Sequence, residues 1–163
     1  MPGGPSLIRL TRVAAAAGIL LAVAGCGGSS GSPVAVSPPT PTPAAASRCK
    51  LLVAHLPGTV ADSYGRRPTD PHSAYTAAWG DPPIILRCGV AAPGSPLIGS
   101  ELTVRGVEWL VNENGASVQW LTLARPVTVE LDVPATYHNQ DAILSDVSAA
   151  LPAVKRPASP SGS

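Results

Sequence analysis

The sequence is poor in the groups that most enzyme chemistry needs. Charged side chains make up only 13% of its 163 residues, and there are three histidines and three cysteines. His55, His72 and His138 show no ligand spacing such as His-x-x-x-His, so no metal site is expected and no cofactor is implied. There is no Gly-x-Ser-x-Gly elbow, and Ser117, which follows Asn114-Gly115-Ala116, falls in a hairpin rather than on a strand-to-helix turn. There is no Cys-x-x-Cys, which argues against a redox dithiol. The Gly-rich stretch after Cys26 is not a phosphate loop, because no strand pattern precedes it and no helix pattern follows. Charge of one sign is missing too. Setting aside Arg9 and Arg12 at the N-terminus leaves 9 basic side chains (11 − 2) against 10 acidic ones. A near-neutral chain carries no electrostatic footprint for nucleic acid and no polybasic patch for a lipid surface.

A long hydrophobic run is absent as well. The apolar stretch 13–23 is 11 residues long, where a helix needs about 20 to span a bilayer. With Arg9 and Arg12 before it, the stretch reads as a signal peptide, 1–25. Its end, Val23-Ala24-Gly25-Cys26, resembles the bacterial lipobox, which implies a thioether-linked diacylglycerol on Cys26 and anchoring of the chain to the outer face of the cell membrane. Residues 26–47 follow as the lipidated cysteine and a tether. Beyond Cys26 they are Gly, Ser, Pro, Thr, Ala and Val only, too uniform to bury a core, and the proline-rich part is expected to extend as polyproline II. The end of the chain, 155–163, has the same character.

Folded sequence is expected over 48–154. Cys49, Leu52, Val53 and Leu56 recur at helical spacing behind Ser47, and Pro57-Gly58 stops that short helix. Residues 60–73 are polar and irregular, and Arg66-Arg67 is their one concentration of charge. Residues 75–79 and 84–90 read as strands around the turn Gly80-Asp81-Pro82-Pro83, and Asp81 is the expected partner of Arg87. In 84–90, Ile84, Leu86 and Cys88 share one face, and Ile85 and Arg87 the other. Residues 107–111 and 117–123 flank Asn114-Gly115, a strong hairpin signal, and 127–133 alternates cleanly between apolar and polar. Residues 138–151 carry Ile143, Leu144, Val147, Ala150 and Leu151 on one helical stripe. With Cys26 lipidated, Cys49 and Cys88 remain, and in an exported protein such a pair reads as a disulfide. The expectation is a small α+β domain: an antiparallel sheet of about four to five strands, flanked by an N-terminal short helix and a C-terminal helix, with one disulfide.

The block Ala77-Ala78-Trp79-Gly80-Asp81-Pro82-Pro83-Ile84-Ile85-Leu86-Arg87-Cys88-Gly89 resembles the signature of an actinobacterial domain-of-unknown-function family, numbered thirty-five-fifteen, of small exported or membrane-anchored proteins. Cys49-x-x-Leu52 with Leu56-Pro57, Arg66-Arg67-Pro68 and Gly106-Val107-Glu108-Trp109 add to the resemblance. It implies an envelope location and brings no reaction, ligand or catalytic residue with it. The expected function is therefore a non-catalytic binding or accessory module that meets an envelope protein or wall component. The candidate contact surface is Trp79, Asp81, Pro82 and Pro83 with Arg66, Arg67 and Arg87, because aromatic and arginine side chains are the usual interface anchors. The alternative is a small wall hydrolase or wall-modifying enzyme using Asp81, His72 or Glu108. No catalytic residue is assigned.

Overall fold

The structure is a computed structural model and describes Met1, residues 31–94 and residues 97–151. Cys26, residues 2–25 of the expected signal peptide and the tail 155–163 lie outside the described residues. In chain order the elements are β1 (Val34–Ala35), α1 (Pro43–His55), β2 (Thr59–Val60), β3 (Tyr64–Arg67), β4 (Thr69–Asp70) and β5 (Thr76–Trp79). Then come β6 (Ile84–Val90), β7 (Ser100–Val104), β8 (Val107–Glu113), β9 (Ser117–Thr122), β10 (Thr128–Pro134) and α2 (Gln140–Ala150).

The α+β class is as expected, but the sheet is larger than four to five strands. Eight strands pair in the order β2-β3-β5-β6-β10-β9-β8-β7, all antiparallel. Two meanders meet where β6 pairs with β10, with Leu86 opposite Leu131 and Arg87 opposite Glu130. The additional strands are short or lie at an edge. A two-residue strand such as β2 cannot show an alternation, and β7 at the sheet edge is largely exposed. Neither carries an apolar pattern strong enough to read from composition.

Alternation does place the core. Ile84, Leu86 and Cys88 of β6 and Val129, Leu131 and Val133 of β10 are buried on one face with Trp79 and Trp109. α2 covers that face with Ile143, Leu144 and Val147. Its side chains also bond to both margins of the sheet. Asp146 Oδ2 accepts from the Ala61 N–H beside β2 at 2.7 Å, and Ser145 Oγ accepts from Arg105 Nε in the turn after β7 at 2.8 Å. Because β2 and β7 are opposite edges, the sheet must curl around α2. Trp109 Nε1 donates to Ser148 Oγ at 3.1 Å and fixes the last turn of the helix.

α1 begins earlier than Ser47. Thr42 Oγ1 accepts from the Ala45 N–H at 3.4 Å, and Pro43 takes a first-turn position where its missing N–H costs nothing. Cys49 and Val53 are its buried face, and Cys49 is bonded to Cys88 of β6, Cα to Cα 5.5 Å, as the cysteine count predicts.

Residues 31–42, expected to bury nothing, run as a strap over the other sheet face. β1 pairs in parallel with β4, the Val34 N–H donates to Pro68 O at 2.9 Å, and the Val36 N–H donates to Asp70 O at 3.0 Å. Val34 and Val36 are buried against Ala78 and Ile85. Farther along, Pro41 lies so close over Gly89 that a Cβ there would come within 2.6 Å of its own Cβ. A low-complexity segment cannot build a core by itself, but two valines in i, i+2 register need only a sheet face already present.

Candidate functional site

The turn joining β5 to β6 is held by side chains from three other parts of the chain. Trp79 is fully buried, and its Nε1 donates to Pro57 O at 3.0 Å. The Arg66 guanidinium lies 5.5 Å from the centre of that ring and donates to Val53 O at 3.0 Å and Leu56 O at 3.2 Å. It thus closes the last turn of α1, where carbonyls have no helical partner. Burial lowers the Arg66 pKa from its ordinary value. Gly80 has φ +66°, and a Cβ there would lie 2.5 Å from Tyr137 Oη. That hydroxyl donates to Pro82 O at 2.6 Å, while the Tyr137 ring meets Tyr64 edge-on at 4.6 Å. Tyr64 in turn donates to Asn139 Oδ1 at 3.1 Å, so Asn139 occupies the cap position of α2 without capping it.

The fold divides the predicted contact surface. Asp81 is 87% exposed, and its carboxylate lies 3.6 Å from Arg67 Nη1. Arg67 is largely covered: its Nη1 donates to Gly80 O at 2.8 Å and its Nη2 to Ser32 O of the strap at 2.8 Å. Pro82 is exposed and Pro83 half-buried. Arg87, by contrast, pairs with Glu130 through Nε at 2.6 Å and through Nη2, and Gln119 Nε2 donates to the other Glu130 oxygen at 3.1 Å. The expected Asp81–Arg87 pair is therefore replaced by Asp81–Arg67 and Glu130–Arg87. The reason is register: Arg87 lies mid-strand, directly opposite Glu130, whereas Asp81 sits beyond the strand end. Trp79 is an interior strut, and half-buried Arg66 spends its guanidinium on the carbonyls of Val53 and Leu56. Asp81, Pro82, Pro83 and Arg67 remain together at one end of the sheet.

Asp81, His72 and Glu108, weighed as a catalytic set, are not brought together. Asp81 and His72 flank β5 at opposite ends, and β8, which carries Glu108, lies four strand spacings from β5, about 19 Å along the sheet. Among the described residues no three His, Cys, Asp or Glu side chains gather to hold a metal ion. Among them, too, no helix is long and apolar enough to cross a membrane.

Two concavities flank α1. A cleft of about 800 Å³ is lined by Lys50, Arg66, Arg67 and His72 among others, but both of its guanidinium groups are turned to backbone carbonyls. On the other side, a groove of about 610 Å³ runs between α1, the end of α2 and the β9–β10 turn. Its walls are apolar, built by Leu51, Leu52, Val127, Val129, Ala150 and Leu151, and Cys88 of the disulfide lies at its floor. Arg48, His55 and Arg125 are the ionisable side chains that line it. Burial lowers the Arg125 pKa, and His55 shares a 2.7 Å hydrogen bond between its Nδ1 and Leu51 O. Sequence reasoning missed this groove. Its available signal was that Arg48, Leu51, Leu52 and His55 recur at i, i+3, i+4 and i+7, a second face of α1 beside the buried one.

A family model describing a protein of unknown function, DUF3515, matches residues 9–158. The chain belongs to that family. The match takes in every described strand and helix, so the curled sheet, the disulfide and the groove all lie within the DUF3515 region. No curated protein and no solved structure matches the chain.

Proposed function

We propose that this DUF3515 chain is an exported lipoprotein, anchored through Cys26 to the outer face of the cytoplasmic membrane, that binds an envelope partner without transforming it. The observation that carries the reading is the Cys49–Cys88 disulfide. Structural disulfides persist in oxidising, extracytoplasmic compartments, and this one leaves Cys26 as the remaining cysteine, at the end of a short apolar segment. The groove supports binding, because ligand sites are concave, mostly apolar and furnished with a few polar groups, in the size range of about 300–1,000 Å³. The strap changes how the anchor would hold the domain. Four residues, 27–30, separate Cys26 from Gly31, which packs beside Arg67. Even fully extended they reach about 17 Å between the two Cα atoms. The Gly80–Pro83 turn, beside Arg67, then stays near the membrane and the domain is not held tens of ångströms away.

The test is metabolic labelling with an alkynyl palmitate in the native host, followed by fractionation. The native chain is expected to carry label in the membrane fraction, and Cys26→Ala to carry none and to change fraction. Equal fractionation of the two without label would refute the anchoring. A photo-crosslinking residue at Leu51, with one at the exposed Ile98 as control, tests the binding. A discrete adduct from Leu51 alone is expected, and none from either position would refute it.

A further inference from the structure

We propose that the groove between α1, the end of α2 and the β9–β10 turn is a binding site for a long-chain carboxylate, a fatty acid whose acyl chain lies along the apolar walls and whose head group meets Arg48. The inference rests on the reading of the chain as a binding module and names its ligand class. Three features of the groove carry it. Leu51, Leu52, Val127 and Leu151 face the same space from three elements, and Leu51 is 65% exposed. An acyl chain would take that surface out of water, and each methylene buried adds to affinity. Second, the ionisable side chains along the groove are arginine and histidine, with no carboxylate among them. A carboxylate head therefore finds charge-assisted donors, whereas a cationic amphiphile finds like charge. Third, the walls are held in place before anything binds. The disulfide fixes α1 to β6 under the groove, and Ile143, Leu144 and Val147 fix α2 to the core. Prior ordering lowers the entropy lost on binding.

An amphipathic peptide helix, which satisfies its own backbone and buries only an apolar face, is the competing occupant, and the crosslinking outcomes below separate the two. The experiment uses the full exported chain, reconstituted in phosphatidylcholine nanodiscs, and a diazirine-bearing palmitic acid as the probe. After irradiation, adducts are mapped by mass spectrometry. They are expected within 48–55, 125–129 and 149–151. The uncharged palmityl alcohol analogue should label at least fivefold less, Leu51→Asp should cut labelling at least tenfold, and Leu51→Met should retain it. Leu51 is exposed, so neither substitution removes a core contact, and the thermal midpoint of each variant checks that the fold is kept. Adducts scattered over the surface, equal labelling by the alcohol, or labelling unmoved by Leu51→Asp would each overturn the proposal. A crosslinked protein at Leu51 with no displacement by palmitate would overturn it in favour of a peptide occupant. Groove labelling of an unlipidated chain would refute the anchoring and keep the ligand, and a lipidated chain with no groove labelling would do the reverse.

Discussion

Replacing Gly80 with alanine probes the turn that joins β5 to β6. Two costs arise at once. Gly80 has φ +66°, and an L-residue held in that region loses about 1–2 kcal/mol. The new methyl would also stand 2.5 Å from Tyr137 Oη, so the hydroxyl must move and its 2.6 Å bond to Pro82 O is broken, worth about 1 kcal/mol. Together the loss is about 2–3 kcal/mol, or a fall of about 8–12 °C in Tm at about 4 °C per kcal/mol for a domain of this size. The two terms separate in a double-mutant cycle read by urea unfolding. Tyr137→Phe removes the oxygen and leaves ring carbon Cζ at 3.4 Å from the added methyl, an ordinary contact. In that background Gly80→Ala should cost only the backbone term, so the pair should couple by about 1 kcal/mol. Additivity within about 0.3–0.5 kcal/mol would refute the claim that Tyr137 is what makes this glycine necessary.

Tyr137 also predicts a pH effect. Burial, then Tyr64 and Asp81, hold its hydroxyl above the ordinary pKa of 10.0. The folded chain thus keeps a proton that the unfolded chain gives up. The resulting stability is complete below about pH 10 and lost as pH rises through the folded value. The urea midpoint of the native chain should fall more between pH 9 and 11 than that of Tyr137→Phe, and equal falls would exclude this residue. Reducing the Cys49–Cys88 bond, or replacing both cysteines by alanine, reopens a loop with sequence separation 39, worth about 4 kcal/mol in the chain-entropy account. A loss under about 1 kcal/mol in unfolding free energy would show that the reduced chain is already constrained by other contacts.

What could be read from the sequence was whatever depends on a local period. β6 and β10 alternate, and the faces assigned to Ile84, Leu86, Arg87, Glu130 and Leu131 are those observed. Asn114-Gly115 marks its hairpin, with Asn114 Oδ1 accepting from the Ala116 and Ser117 N–H groups and Gly115 at φ +81°. The stripe of α2 and the pairing of the two cysteines follow similarly. What could not be read depends on partners far away in the chain. Trp79 looked like a surface anchor because tryptophan and arginine mark interfaces. Its fate is instead decided by Pro57 O and by a helix end to which Arg66 is tied. The groove draws on α1, α2 and the β9–β10 turn, and no local pattern joins three such segments.

The strap links these points. Composition alone assigns 31–42 to a spacer, yet its Ser32 carbonyl takes two donors of Arg67, its valines fill a patch of the sheet, and Pro41 covers Gly89 next to the disulfide. If Cys26 is the anchor, any pull from the membrane enters the domain at Gly31. It meets the Arg67 contact first, then the β1–β4 pairing, then Pro41, and last the bond from Cys49 to β6, a central strand. The covalent bond lies where the strap has ended and α1 has begun, so it protects the helix that walls the groove rather than the strap itself. Force at the anchor could peel residues 31–42 from the sheet and uncover Val34, Val36, Ala78 and Ile85 while leaving α1 in place. That separation gives a physical reason for placing a disulfide between the first helix and the sheet: with an anchor at Cys26, it would isolate the groove from strain entering at Gly31.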